Sequence, residues 1–361
     1  MNILITGATG FLGAKLVTKL LEDGHQVYAL VRNERKFSAL LEKIEKTYRG
    51  HLFPVKGDLT EEYLGIDPSV RQPLIGKLDA VYHTAAILSF DERQREQSFA
   101  MNVEGTRRAL DLAKLVQAKK FIQVSTAYTL GKRTEGVEAL YPLDSVFTNS
   151  YEESKCHAEH VAMSYLDFFD VMIMRPAIII GDSNTGEADT AFGLYGILRT
   201  LEVLKKRAAK KMSHDQTVFH LLMDQEATSN IVPVDYVAKV LALGLHHGES
   251  GGIYNIINPA PPTNQEVLEV AKQVLDFDAV QIWPYEKKTD LSFVEQKLNE
   301  PLEVFKDYLN RSIAFDDRHT RELLHKNGEG AFQMDLDMLK RIIRGFHHRR
   351  MKQSNEGLIR A

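Results

Sequence analysis

A tyrosine and a lysine stand four residues apart in the stretch Asn149-Ser-Tyr-Glu-Glu-Ser-Lys155. Residues 156–169 keep a helix-forming composition without Pro or Gly, so the pair is expected near the start of a helix. Residues i and i+4 share a helical face, which lets the Tyr151 hydroxyl and the Lys155 ammonium address one small volume. A free tyrosine has a pKa of about 10. A cation beside it favours the phenolate and is expected to lower that value, which suits Tyr151 to proton transfer. A solvated surface Tyr/Lys pair has the same spacing, so the assignment depends on the elements that position it.

The 361 residues allow one large α/β domain with a smaller addition, or two domains. Apolar and charged fractions of 44% and 26% are those of an ordinary soluble domain, and a net charge of -4 argues against a general nucleic-acid binder. The lone Cys156 excludes an internal disulfide and points to a reducing, cytoplasmic setting. No apolar run approaches the ~20 residues of a membrane span, since residues 171–180 are interrupted by Arg175 and Pro176. Residues 1–5 lack the basic flank and cleavage pattern of a leader and read as a strand.

That strand, Asn2-Ile-Leu-Ile-Thr6, runs into Gly7-Ala-Thr-Gly10-Phe-Leu-Gly13. A helical pattern follows (Leu12, Leu16, Val17, Leu20, Leu21), then Gly24 and a second strand, Gln26-Val-Tyr-Ala-Leu-Val31. Strand, glycine turn, helix and strand form the frame of a dinucleotide fingerprint. The glycines there permit a tight turn, close approach of a pyrophosphate, and a helix N-terminus facing the phosphates. The second strand ends in Arg32-Asn33-Glu34-Arg35-Lys36, where an NAD site carries an acid. Arg32, assisted by Arg35, is placed to meet a 2′-phosphate, so NADP is expected over NAD, although a solvated charged turn reads the same way.

Alternation continues through a helix at about 34–48, the strand His51-Leu-Phe-Pro-Val55, and Gly57-Asp58-Leu59. Next come Asp79-Ala-Val-Tyr-His83-Thr-Ala-Ala86, a helix at about 102–117, and Lys120-Phe-Ile-Gln-Val-Ser125-Thr126. The expected fold is α/β, a doubly wound parallel (Rossmann) sheet with a smaller, mostly helical region after it. Asp58, Thr84 and Thr126 fall at strand carboxyl ends, where such sheets bind ligands.

On these residues the chain resembles the extended short-chain dehydrogenase/reductase family. Within it the chain is similar to the branch of thioester and fatty acyl-CoA reductases, which includes the reductase domains of carboxylic acid reductases. The resemblance rests on the glycine turn, Val124-Ser-Thr-Ala-Tyr128, the Tyr151/Lys155 pair and Arg175-Pro-Ala-Ile-Ile-Ile-Gly-Asp-Ser-Asn-Thr-Gly186. Val232-Pro-Val-Asp-Tyr-Val-Ala238 and Asn255-Ile256 fit the wider family, and the likeness thins after residue 260. It implies a cofactor held by Thr6, Gly7, Thr9, Gly10, Phe11, Leu12 and Gly13 at the phosphates and by Arg32 and Arg35 at the 2′ position. Asp58 and Leu59 would lie at the adenine, with Thr84, Ala85, Ala86, Asn102, Tyr151, Lys155 and Pro176 completing the site. The implied catalytic set is Thr126, with Ser125 as its fallback, Tyr151 and Lys155. The implied reaction is NADPH-dependent reduction of an acyl thioester to an aldehyde, with a further step to the alcohol left open. Rival readings are a sugar-nucleotide epimerase or dehydratase, an aldehyde or ketone reductase, and a non-catalytic redox sensor.

The expected division is 1–185 for the cofactor domain, with 230–258 returning to it, and 186–229 with 259–361 for the substrate region. A helix at 191–211 is apolar first (Phe192, Leu194, Tyr195, Ile197, Leu198, Leu201, Leu204) and then basic (Lys205, Lys206, Arg207, Lys210, Lys211). Either it walls an acyl chain and meets the phosphates of coenzyme A or a phosphopantetheine arm, or it is a buried helix with a solvated tail. Helices are also expected at 264–274 and 335–346. The basic stretch 340–352 reads as a solvated terminal helix before it reads as a surface for an acidic carrier or a membrane. His83 reads as a packed histidine, His157 and His160 lack a third metal ligand, and Cys156 reads as a small helix residue, so no metal is assigned. Oligomeric state is left open, a homodimer being compatible.

Overall fold

The computed structural model describes residues 1–190, 193–210 and 218–359. The chain divides into two compact units. The first comprises Met1–Ala177, Val234–Ile257 and Phe315–Ala331, and the second Ile178–Pro233, Asn258–Ala314 and Phe332–Ala361. Nothing in the sequence signals the return of 315–331 to the first unit.

The first unit is built on a seven-stranded sheet: β1 (Asn2–Thr6), β2 (Gln26–Val31), β3 (Leu52–Lys56), β4 (Ala80–His83), β5 (Lys120–Val124), β6 (Asp170–Pro176) and β7 (Ile253–Ile256). Their order is β3-β2-β1-β4-β5-β6-β7, and every neighbouring pair is parallel. This is the doubly wound sheet expected from the alternation. Strand order reverses between β1 and β4, and a ligand crevice opens beyond the carboxyl ends at such a point. The longer helices of the unit are α1 (Phe11–Glu22), α2 (Glu34–Lys43), α3 (Arg95–Asn102), α4 (Glu104–Leu115), α5 (Ser150–Met163), α6 (Val234–His247) and α7 (Arg318–Lys326). α1 packs on α6, and the buried Tyr82 hydroxyl donates to the Leu241 carbonyl of α6 at 2.8 Å. α3, α4 and α5 pack on one another. Leu110 and Ala113 of α4 share a buried cluster with Leu4, Val81, Phe121 and Val171, which are register partners across four strands.

Three element boundaries differ from expectation. α2 stops at Lys43 because Ile44 turns to extended backbone and buries its side chain. The helix expected at 102–117 is two helices meeting at Val103, the second ending before Gln117, whose φ is 57°. α5 ends at Met163, although helix-forming composition runs on to 169. At its start, the Asn149 side chain accepts from Glu152 N at 3.0 Å, and the Glu152 carboxylate accepts from Thr148 N at 3.1 Å. These two bonds fix where the Tyr151 helix begins.

α5 is locked to the sheet by an ion pair between Arg175 of β6 and Glu159, both fully buried. Arg175 Nε and Nη2 donate to the two Glu159 oxygens at 2.8 and 2.6 Å. Nη1 and Nη2 also donate to the carbonyls of Val137 and Ala139, each at 3.0 Å. The guanidinium lies 4.8 Å from the Tyr141 ring centroid.

In the second unit the strand Ile178–Ile180 pairs with Ile231–Pro233, and Phe219–Leu222 pairs with Val280–Trp283, both in parallel. The expected helix forms as Leu194–Lys210. Phe192 and Lys211 lie outside the described residues. Leu194, Tyr195, Ile197, Leu198, Leu201 and Leu204 are buried, and the Tyr195 ring lies 5.0 Å from that of Phe346. They form core rather than an open wall. Lys205 donates to the Leu275 carbonyl at 2.5 Å, while Lys206 and Arg207 are exposed. Asn264–Leu275 is opened by a Thr263/Glu266 capping box.

The final helix, Leu336–Ile359, corrects the reading of a solvated tail: Leu339, Ile342, Ile343 and Phe346 are buried. Several of its basic side chains are engaged within the unit, Arg341 by the Ser183 carbonyl, Arg349 by Asp189, and His347 and Arg350 by Glu202.

Replacing Arg175 by Met strands the Glu159 carboxylate in a dry interior, a loss of about 3–5 kcal/mol when one partner of such a pair is removed. Urea unfolding should show a loss of that size for Arg175→Met and recovery of most of it in Arg175→Met/Glu159→Leu.

Candidate active site

The glycine turn joins β1 to α1 through backbone alone. Gly10 N donates to the Gly7 carbonyl at 2.9 Å, and Gly10 caps α1 without a side-chain hydrogen bond. Gly7 has φ of 72°, and a Cβ there would sit 2.6 Å from Thr84 Oγ1 and 2.8 Å from Ala85 N. A Cβ at Gly13 would sit 2.1 Å from the Gly7 carbonyl oxygen. The turn, the Thr84–Ala85 backbone and the start of α1 therefore approach as only glycine permits. Thr84 Oγ1 donates to the Thr6 carbonyl at 2.7 Å, and Ala85 N donates to Thr6 Oγ1 at 3.4 Å. Thr9, Phe11 and Leu12 are half-buried around the turn, and Ala86 is exposed beside it. A helix N-terminus without a side-chain cap, cradled by glycine, fits the diphosphate of a dinucleotide.

Arg32 follows β2 and Asp58 follows β3, and the structure brings them within 3.9 Å of each other. Arg32 remains 66% exposed. Asp58 accepts from Thr60 N and Oγ1, each at 2.9 Å. The Thr60 amide first, then its hydroxyl and Arg32, hold the carboxyl below its ordinary range. Leu59 is half-buried, its carbonyl accepting from Arg108 at 3.2 Å. Arg35 is exposed, and its backbone N–H donates to the Asn33 side chain that caps α2.

Lys155 is buried, and its Nζ donates to the Val124 carbonyl at 2.6 Å. Val124 ends β5, so the amine sits beside Ser125 and Thr126, with Tyr151 one turn earlier on the same face of α5. The positive charge of Lys155 is also felt by His83 at the end of β4, and His83 Nδ1 lies 2.8 Å from Thr6 Oγ1. The Tyr/Lys face and the glycine turn thus share the region beyond β1, β4 and β5. Thr126 Oγ1 accepts from Tyr128 N at 3.3 Å, which leaves its proton to donate. Ser125 Oγ is buried with no protein partner. Pro176 is buried at the end of β6.

Electrostatics correct one expectation. Burial pushes the Tyr151 phenol above its ordinary pKa, with the Glu152 charge adding to the rise. Lys155 does not offset this, its amine being turned onto the Val124 carbonyl. Burial lowers Lys155 itself to about 8, opposed by the Glu159 charge.

Positioning residues missed in the sequence include Glu159 and Ser154. Asn102 is bonded both ways to Ile87: its Oδ1 accepts from Ile87 N at 2.8 Å and its Nδ2 donates to Ile87 O at 3.0 Å. Nδ2 also donates to Ser154 Oγ at 2.9 Å, and Ser154 donates to the Tyr151 carbonyl at 2.9 Å. The loop after β4 is further tied to α5 by Glu92, which accepts from Ser150 N at 2.9 Å, and α3 is tied to it by an Arg95–Glu153 ion pair. A buried arginine in a strand is the sequence signal that would have prompted a search for Glu159. The remaining candidates have structural partners: His157 meets the Phe99 ring at 5.4 Å, and His160 Nε2 lies 2.8 Å from the Tyr141 carbonyl. Burial pushes Cys156 up to about 12. Among the described residues no three His, Cys, Asp or Glu side chains are grouped to hold a metal ion. No described helix is long and apolar enough to cross a membrane.

Residues 5–241 match the NAD-binding family described as "Male sterility protein". The chain belongs to this family. It is an extended short-chain dehydrogenase/reductase, and its family are nicotinamide-dependent oxidoreductases. A fatty acyl-CoA reductase of Drosophila melanogaster is 28% identical over 72% of this chain and 57% of its own length. The terminal R domain of the myxalamid PKS-NRPS pathway superposes with a TM-score of 0.80 at 24% identity, covering 96% of this chain and 90% of that one. A dTDP-glucose 4,6-dehydratase of Streptomyces venezuelae superposes with a TM-score of 0.69 at 20% identity over 97% and 98%. These two likenesses carry the fold. The chain spans about half the length of the curated relatives it matches.

Gly13→Val should abolish dinucleotide binding in calorimetric titration, because its side chain collides with backbone that cannot yield. Gly24→Ala tests φ alone, since a Cβ at Gly24 meets nothing within 4 Å although φ is 80°. It should cost about 1 kcal/mol of stability and leave binding intact.

Proposed function

We propose that this chain is an NADPH-dependent reductase of an acyl thioester, carried on coenzyme A or a phosphopantetheine arm, releasing an aldehyde. The observation that supports the reading is the seating of Lys155, one turn after Tyr151, on the carbonyl of Val124, the residue that leads into Ser125 and Thr126. Bound nicotinamide supplies hydride to the thioester carbon. Tyr151 and Thr126, with Ser125 as the alternate donor, hydrogen-bond the carbonyl oxygen where negative charge grows. Tyr151 gives up its proton to that oxygen, and the Lys155 ammonium, seated on the Val124 carbonyl, would hold a nicotinamide-ribose hydroxyl. The hemithioacetal so formed collapses to aldehyde and thiol. The thioester class is drawn from the acyl-CoA reductase relative.

NADPH is favoured over NADH by Arg32. Its contact with Asp58 is long and exposed, so exchanging that carboxylate for a 2′-phosphate costs little, and a charge-assisted guanidinium–phosphate bond contributes about 1.5–3 kcal/mol. Arg32→Ala should raise the NADPH Kd by about 10–100-fold and leave that for NADH unchanged.

Tyr151→Phe should lower kcat with acyl-CoA by about 10²–10⁴-fold while NADPH still binds. Turnover of nucleotide sugars without acyl-CoA consumption would replace this reading with the epimerase or dehydratase one. NADPH binding with no carbonyl turned over would leave a redox sensor. Lys155 is charged below its pKa of about 8 and neutral above it. The reductive rate should therefore fall as pH rises through about 8 in the wild type.

A further inference from the structure

A buried row of polar groups runs from the glycine turn to α5. It begins at Ala85 N, which donates to Thr6 Oγ1 at 3.4 Å, and continues from Thr6 Oγ1 to His83 Nδ1 at 2.8 Å. On its far side Gln123 Nε2 donates to Thr106 Oγ1 at 3.5 Å, and Thr106 Oγ1 donates to the Asn102 carbonyl at 2.7 Å. Asn102 then leads through Ser154 to the Tyr151 carbonyl. Thr6, His83 and Gln123 are register partners on β1, β4 and β5, so their side chains leave the same face of the sheet. The row is interrupted once. His83 Nε2 and Gln123 Oε1, on residues 1% and 0% exposed, are both buried without a protein partner.

Donor and acceptor roles along the row fix the chemistry at the interruption. Thr6 Oγ1 accepts from Ala85 and keeps one proton of its own; directed at His83 Nδ1, that proton leaves Nδ1 bare and puts the ring proton on Nε2. Burial and then the Lys155 charge lower His83 to about 3, which keeps the imidazole neutral. Thr106 spends its proton on Asn102 and can only accept from Gln123, so the Gln123 amide presents its oxygen to the other side. An N–H donor and a carbonyl acceptor on register-paired residues of neighbouring strands are therefore both left without a partner. Buried groups of this kind are almost always satisfied, commonly through an internal water.

We propose that His83 and Gln123 hold one internal water, which accepts from the imidazole N–H and donates to the glutamine oxygen, and that the completed row fixes the glycine turn relative to the helix bearing Tyr151 and Lys155. His83 and Gln123 are then positioning residues, acting through Thr6 and Asn102. The inference rests on the fold and stands whether or not the substrate is a thioester.

The test is nuclear magnetic resonance of the full chain labelled with ¹⁵N-histidine. His83 should carry its proton on Nε2, should not titrate between about pH 5 and 8, and should show an Nε2–H Overhauser effect to a long-lived water. In Gln123→Leu that effect should vanish and the NADPH Kd should rise by about tenfold. In His83→Phe/Gln123→Leu the thermal midpoint should recover while the NADPH Kd stays raised, because apolar filling restores packing but not the link. A proton on Nδ1, a titrating ring, no bound water, or recovery of NADPH affinity in the double variant would overturn the proposal. Should the variants fail to fold, the wild-type spectrum decides alone.

Discussion

The first unit is organised around one desolvated ion pair. Taking a guanidinium and a carboxylate out of water is expensive, and their mutual attraction repays it only where the remaining donors and lone pairs are satisfied. Here Arg175 spends its other hydrogen bonds on Val137 and Ala139, and its face on Tyr141. The pair therefore joins three pieces at one point: β6 through Arg175, α5 through Glu159, and the segment 137–141. Directional bonds of this kind constrain rotation as well as distance. Tyr151, Lys155 and Glu159 follow one another at intervals of four, so holding Glu159 against β6 sets the angle at which the other two leave the helix. Glu159 also opposes the loss of charge on Lys155. One residue thus orients the amine and helps to keep it protonated.

What could be read from the sequence was what local pattern specifies. The strands, the glycine turn and the Tyr/Lys spacing follow from short-range periodicity, and the parallel order follows from alternation. Glu159 could not be read this way, because it is an ordinary helix acid until β6 brings Arg175 beneath it. Asn102 could be singled out, but its partners, Ile87 and Ser154, lie 15 and 52 residues away. Amphipathic pattern is likewise silent on what an apolar face meets. Leu198 and Leu201 look the same in sequence whether they line a substrate channel or pack in a core. The basic terminal helix failed for a related reason: a run of cations carries no sign that Ser183, Asp189 and Glu202 will meet them.

Backbone economy explains why the cofactor region is built as it is. Phosphates need several N–H donors close together, and any side chain at Gly7 or Gly13 would fill that space or collide with the Gly7 carbonyl. The Thr84 and Thr6 hydroxyls fasten the neighbouring strand end to the turn. The crevice is thus shaped by main chain on the β1 side and by the α5 side chains beside β5. The two halves hold register only through links between strand ends and α5, such as Lys155 to Val124 and Asn102 to Ser154.

The direction of the Tyr151 shift bears on the sense of the proposed reaction. Spacing alone suggested a phenol made more acidic by its lysine, which would suit a base that removes a proton from an alcohol. Burial does the reverse, and it keeps the proton on Tyr151 at neutral pH. An acid held in that state cannot lose its proton to bulk water before the carbonyl oxygen becomes basic, and it transfers it as charge arrives there. Lys155, lowered to about 8, still carries its charge at neutral pH. A phenol that keeps its proton at neutral pH is thus better matched to delivering a proton than to taking one, which favours the reductive direction.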